Sequence, residues 1–264
     1  MTSITNIAVS DVLDGVGNWR LWGRMGWAEV RRRYRRTLIG PFWSSLSLGF
    51  FVGTMGFLYA ALWNQAPESY LPFLCSGMIS WVLVSGLVTE GCSTFITNSG
   101  LLTQTSFNFS LLACAQVWRS LITFAHNLAI YVLMAAALSV PLRPETLLLL
   151  PGLVIIAVNG VWAAVLFGMI CARYRDVQQV VSSLLQVAMF VTPVFWAPEQ
   201  LGHRGQYLSN FNVLFHLVDL IRSPLLGQAP ALLSYAVGVV MAIVGSAFTF
   251  WLFRKLRCRV VYWL

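Results

Sequence analysis

Apolar residues fall into six long runs, at 42–63, 71–89, 112–140, 147–171, 180–196 and 232–253, separated by charged or turn-forming clusters. A hydrocarbon core about 30 Å thick takes roughly 20 such residues per helical crossing. The pattern therefore predicts an all-α integral membrane fold with about six transmembrane helices. The third run is long enough to tilt or to begin in the interface, whereas the fifth is short and ends in the breaker-rich TPVFWAP. A further run, 213–226, contains His216, Asp219 and Arg222 and stops at Ser223-Pro224. Runs this short are re-entrant or interfacial more often than spanning, so short outer helices are expected after span five.

Ahead of the first run, NWRLWGRMGWAEVRRRYRR places Trp19, Trp22, Trp27, Val30 and Tyr34 on one arc at about 100° per residue. Arg20, Arg24, Arg31 and Arg35 occupy the neighbouring arc. This is the pattern of a helix lying along the membrane, with Trp rings at headgroup depth and arginines toward lipid phosphates. A generic basic anchor and a docking surface for a partner subunit both fit it. The expected division is 1–41, a cytoplasmic N-terminus with this interface helix, and 42–264, the six-span domain. Gly40-Pro41 supplies the bend between them, proline being tolerated at a helix start.

Composition agrees with burial in lipid: 58% of the 264 residues are hydrophobic and 10% charged, with a mean hydropathy of +0.74. Soluble domains carry about a quarter charged residues. Thirteen of the seventeen basic residues lie before the first run, between the fourth and fifth, or after the last. Lys and Arg accumulate in cytoplasmic loops, so both termini are expected inside. This asymmetry accounts for the +8 net charge, and nucleic-acid binding is not needed to explain it. Residues 1–18 have no Lys, no Arg and no sustained apolar core, so a cleaved secretory signal is not expected. Cys75, Cys92, Cys114, Cys171 and Cys258 follow neither CxxC nor Cys/His spacing, and neither a metal nor a disulfide framework is expected.

Within the first span Trp43, Ser47, Phe50, Thr54 and Phe57 lie within about 40° of one line. Sugars present apolar CH faces and hydroxyl edges, so an alternation of rings and hydroxyls would suit a sliding glycan; a lipid-facing stripe fits the same spacing. Gly49, Gly53, Gly56 and Ala60 form a different, small-residue face suited to close helix packing. At the other end of the span order, Thr192-Pro193 and Pro198 break the fifth run, and non-helical backbone at membrane depth must be buried in protein or line a wet cavity. Glu90 is expected at the cytoplasmic end of the second span, where a solvated helix end is the commoner pattern and a partner or a wet cavity the alternative, and Arg119 near the inner end of the third. His216, Asp219 and Arg222, three residues apart, are expected to pair along a helix as a stabilising or gating ladder.

Three segments carry a family resemblance. RRRYRRTLIGPFWSSL resembles the entry segment of ABC-type polysaccharide exporter permeases, with its basic RYxxxxLGxxW pattern. ARYRDVQQVVSSLLQVAMFVTPVFW resembles that family's cytoplasmic RD followed by a span ending in TPxFW. NFNVLFHLVDLIRSPLLG is similar to its NPxxHxxxxxRxPLLG, with Val213 in the place of the proline. The resemblance implies a channel-forming subunit that pairs with a second copy of itself and with two nucleotide-binding ATPase subunits. It also implies a conduit lined by aromatic residues and, as cargo, a lipid-linked polysaccharide such as an O-antigen or capsular glycan. Thr192, Pro193, Phe195 and Trp196, with His216, Asp219 and Arg222, would form the outer gate. TNSGLLTQTSFNFS resembles the coupling segment, although it lacks the usual basic residues and proline; Asn98, Gly100 and Leu101 there, with Arg173, Arg175 and Asp176, would contact the ATPase.

ATP and Mg are expected on that partner, because the single lysine, Lys255, lies in TFWLFRKLRC without a GxxxxGK[ST] loop. No cofactor is expected on this chain. Teichoic-acid export is a close alternative, and small-molecule efflux a more distant one. A membrane-embedded transferase would need a convergent acid, base or metal site, and the sequence offers none.

Overall fold

The computed structural model describes residues 2–35, 39–40, 42–62, 65–105, 107–140 and 143–264. Pro41 and Trp63, two of the expected boundary residues, lie outside them. The described residues are helical, with no strand among them.

Two helices precede the first apolar run. α1 (Thr2–Gly17) has no counterpart in the hydropathy pattern, and α2 (Trp19–Tyr34) is the expected amphipathic helix. Next come α3 (Phe42–Leu62), α4 (Pro67–Thr97), the short α5 (Ser99–Gln104), α6 (Phe109–Ala137) and α7 (Leu149–Arg173). The chain ends with α8 (Val177–Val191), α9 (Gly202–Phe211), α10 (Val213–Leu225) and α11 (Leu232–Val260). Five helices, α3, α4, α6, α7 with its leading 3-10 turn, and α11, are long and apolar enough to cross a membrane. α8 has only 15 residues, about 22 Å at about 1.5 Å per residue, and falls short of a full crossing by itself. The fifth expected span, 180–196, is thus helical only as far as Val191, where α8 ends, and the following TPVFW is a turn, buried except for the half-buried Trp196.

α4 sits at the centre, packed on α7, α6 and α3, and α11 lies outside α7. It runs from Pro67 to Thr97, longer at both ends than the expected 71–89, because Pro67 stands in its first turn, where the missing N–H costs nothing. Small residues bring these helices close: a Cβ on Gly91 would stand 2.9 Å from Ala164 Cα, and one on Gly152 2.5 Å from the Leu220 carbonyl oxygen. Buried amides add hydrogen bonds between helices, which lipid cannot replace. Ser45 Oγ donates to Asn127 Oδ1 at 2.8 Å, joining α3 to α6, and Asn159 Nδ2 donates to the Gly238 carbonyl at 3.0 Å, joining α7 to α11.

α3 buries Ser45, Leu48, Val52, Gly56 and Ala60. The expected small-residue face therefore packs in part, with Gly56 against Leu71 and Gly49 against Ile130, while Gly53 meets no neighbour within 4 Å. Gly40 has φ +63°, a left-handed conformation that suits glycine at the bend into α3.

Candidate functional site

Three groups of residues stand out, and the helices place them at different levels. The first is the turn after α8. Thr192, Pro193, Val194 and Phe195 are buried and Trp196 is half-buried, held from four helices. Tyr70 of α4 donates its hydroxyl to the Phe195 carbonyl at 2.5 Å, and Asn212, which caps α10 by accepting from Leu214 N and Phe215 N, donates its amide to Thr192 Oγ1 at 2.9 Å. The Phe195 ring stacks on Tyr59 of α3 and Phe190 of α8, at 6.0 and 5.8 Å between centroids. Arg222 reaches the same turn from α10: its Nη2 donates to the Val194 carbonyl at 3.5 Å and its guanidinium lies 4.4 Å over the Phe73 ring. Gly77 leaves room for this arrangement, since a Cβ there would come within 2.4 Å of Arg222 Nη2 and 3.1 Å of the Val194 carbonyl oxygen.

The expected pairing of His216, Asp219 and Arg222 along α10 does not occur. Arg222 turns toward the Thr192–Trp196 turn, and His216 and Asp219 meet through Ser234 of α11 instead. Ser234 Oγ lies 3.0 Å from His216 Nδ1 and donates to Asp219 Oδ2 at 2.6 Å, while Ser223 Oγ and the Ala231 N–H also donate to Asp219. The spacing of three put the residues on one helix, but each found a better partner on another element.

The second group is the face of α3. Trp43, Ser47, Phe50, Thr54 and Phe57 are all exposed on the isolated chain, Phe50 by 78%, on the side turned away from the packed Ser45–Val52–Ala60 stripe. α8 continues an uncovered surface: none of its residues is buried, and Val180, Leu184, Val187 and Val191 project outward.

The third group lies at the end of the bundle that carries the termini. Asn98 precedes α5 and donates its amide to the Thr94 carbonyl at 2.9 Å; Gly100 is exposed and Leu101 half-buried on α5. Arg173, Arg175 and Asp176 are exposed in the turn from α7 to α8, and Arg173 stacks over Tyr174 and Trp263, 5.1 Å from each ring. The C-terminal 3-10 turn, Val261–Trp263, also touches α5, so the expected coupling residues share one surface through it.

α2 adds a cluster that hydropathy did not bring together. It turns Gly26 and Val30 into the bundle, with Trp22 half-buried against Trp118, while Trp19, Trp27, Arg31 and Arg35 face outward. Arg119 of α6 pairs with Glu29 of α2 and, at 3.0 Å, with Glu90 of α4, and Arg33 of α2 closes on Glu90 at 3.2 Å. Glu90 is therefore no solvated helix end. It is one corner of a charge-balanced quartet that fastens α2 to the core, as charges at membrane depth generally require. The available signal was a pair of opposite charges, Arg119 inside the third apolar run and Glu90 directly after the second. Asp11, buried on α1, likewise accepts from Phe109 N and Ser110 N at the start of α6 and pairs with Arg257 at 2.8 Å. A carboxylate there complements the helix N-terminus, and no local pattern announces partners that lie so far along the chain.

The architecture is that of a multi-pass α-helical membrane protein with a pinned turn at one end, a basic surface at the other and an uncovered aromatic face between them. Residues 20–226 match the profile of the ABC-2 type transporter family. The chain belongs to that family, the membrane subunits of ABC transporters. Among curated relatives, an O-antigen export system permease protein RfbA of Klebsiella pneumoniae is 23% identical over 239 residues, covering 88% of this chain and 90% of the relative. A second Klebsiella pneumoniae protein of the same name is 21% identical over the same shares. A Myxococcus xanthus protein so named is 25% identical over 64% of this chain and 65% of its own length.

Proposed function

We propose that this chain is the conduit-forming subunit of an ATP-driven exporter that moves a lipid-linked polysaccharide, an O-antigen or a capsular glycan, across the bacterial inner membrane. The observation that carries this reading is the similarity over 88% of the chain to permeases named for O-antigen export. The exposed Trp43, Ser47, Phe50, Thr54 and Phe57 face supports it chemically, since rings can stack on sugar CH faces while hydroxyls exchange hydrogen bonds with sugar edges as the polymer slides. Two copies would enclose the conduit. Two ATPase subunits, which bind ATP and Mg, would dock on the basic end through Asn98, Gly100, Leu101, Arg173, Arg175 and Asp176. Both termini are then cytoplasmic, in keeping with the basic-residue asymmetry. ATP-driven closure would rock α2 and the bundle between two arrangements and release the turn formed by Thr192, Pro193, Phe195 and Trp196.

Deletion of the gene followed by localisation of the glycan tests this directly. Lipid-linked polymer accumulating on the cytoplasmic face is the expected result; loss of polymer synthesis would instead favour a transferase, and an unchanged surface glycan would refute export.

A further inference from the structure

On the flank bounded by α1, α6, α7 and α11, a crevice of about 430 Å³ opens between the helices. It lies inside the size range of ordinary ligand pockets, roughly 300–1,000 Å³. Its walls are almost wholly apolar: Val12 and Val16 of α1 form one side, Val158 and Val165 of α7 the back, and Phe250 of α11 the other side. Val16 and Val158, each close to half exposed, owe that exposure to this opening. Trp162 closes one wall, held flat across Gly245, where a Cβ would stand 2.3 Å from the ring. Three hydroxyls line this apolar space: Ser110 Oγ donates to Asp11, Ser246 is half-buried, and Thr249, 4% exposed, leaves its Oγ1 without a hydrogen-bond partner.

Two of the walls belong to membrane-crossing helices, so the medium at the mouth is hydrocarbon. Water needs two to four polar partners to reside in a cavity, and the few hydroxyls of this lining, one of them already bonded to Asp11, cannot hold a chain of waters in 430 Å³. An empty crevice would forfeit the dispersion contacts of its lining. A lipid chain meets both conditions. Along α11 the charge order is also right, because Arg254 follows Thr249 by five residues, about 7.5 Å at about 1.5 Å per residue, on the way to Arg257 and Arg259.

We propose that the crevice is a phospholipid site: one acyl chain fills the space between α1, α7 and α11, the glycerol ester carbonyl accepts the Thr249 hydroxyl, and the phosphate stands at the level of Arg254. The lipid completes the seat of α1, whose Val12 and Val16 otherwise face a gap. This site lies apart from the α3 face and from the gate, and its occupant is a membrane phospholipid and not the exported glycan's carrier.

Native mass spectrometry of the chain, extracted from its membrane in mild detergent, reads the occupancy. The unmodified protein and a control, Val240→Phe on an exposed part of α11, should each retain one phospholipid per chain. Val16→Phe and Val158→Phe, which fill the crevice from side chains already exposed, should lose it, and Thr249→Val should lower retention several-fold. A phospholipid carrying a diazirine on its acyl chain, reconstituted with the unmodified protein, should cross-link to residues 158–165 and 246–253 above the level of other helical surfaces. Retention unaffected by both filling variants, cross-links spread evenly around the bundle, or a retained mass matching a polyprenyl phosphate would each overturn the proposal.

Discussion

At the scale of single residues, Arg222 and Gly77 show how one side chain can decide a neighbour's identity. The guanidinium fills the space a Cβ would take and hydrogen-bonds a carbonyl of the buried turn. Gly77→Ala should therefore push Arg222 off the Val194 carbonyl and destabilise the protein by about 1–3 kcal/mol, the usual cost of overpacking. A lowered midpoint in a thermal aggregation scan checks this, and Gly86→Ala, which meets nothing within 4 Å on the same helix, should leave the midpoint unchanged. The α3 face makes an opposite prediction. Replacing Trp43, Phe50 and Phe57 together with leucine keeps the surface apolar, so insertion should be normal while glycan export falls several-fold. Normal export by a normally inserted triple variant would reassign the face to lipid.

Among the elements, the long apolar helices were legible because twenty consecutive apolar residues have few alternatives in a bilayer, and the breaker cluster correctly marked the end of α8. Less visible were the features made by distant partners. α1 is not a hydropathy feature at all; its place depends on the bonds of Asp11 to the start of α6 and to Arg257. Glu90 looked terminal because the second apolar run fades near it, yet α4 continues to Thr97 and the carboxylate meets Arg33 and Arg119. His216 and Asp219 shared a helix face, but Ser234 of α11 took the position expected for a direct pair.

The quartet yields its own test. Arg119→Gln leaves Glu29 and Glu90 without their common cation, and hydrogen bonds between charged groups contribute about 1.5–3 kcal/mol, less where water reaches them, as it does at Glu90. The backbone amides of α2 should then exchange hydrogen several-fold faster while those of α7 stay protected. Equal exchange in both proteins would mean that Gly26 and Val30 alone hold the helix.

For the whole molecule, the question is what covers α8. Every other helix of comparable apolarity buries a stripe in the bundle, but α8 buries none and is too short to cross the membrane by itself. Facing lipid, such a helix would leave its ends mismatched to the bilayer, at a modest cost per ångström. Facing a second copy, it would be shielded by protein, and the two α3 faces could enclose one polar path. A two-fold axis near α8 would bring each residue of the stripe close to its own counterpart. With Cys258, the one exposed thiol, changed to serine, cysteines placed at Leu184 or Val187 should form cross-links between copies in membranes. A cysteine at Val240, exposed on α11, should not. Cross-linking at Val240 with none at Leu184 or Val187 would move the contact between copies to the α11 side, and α3 could then no longer close a conduit.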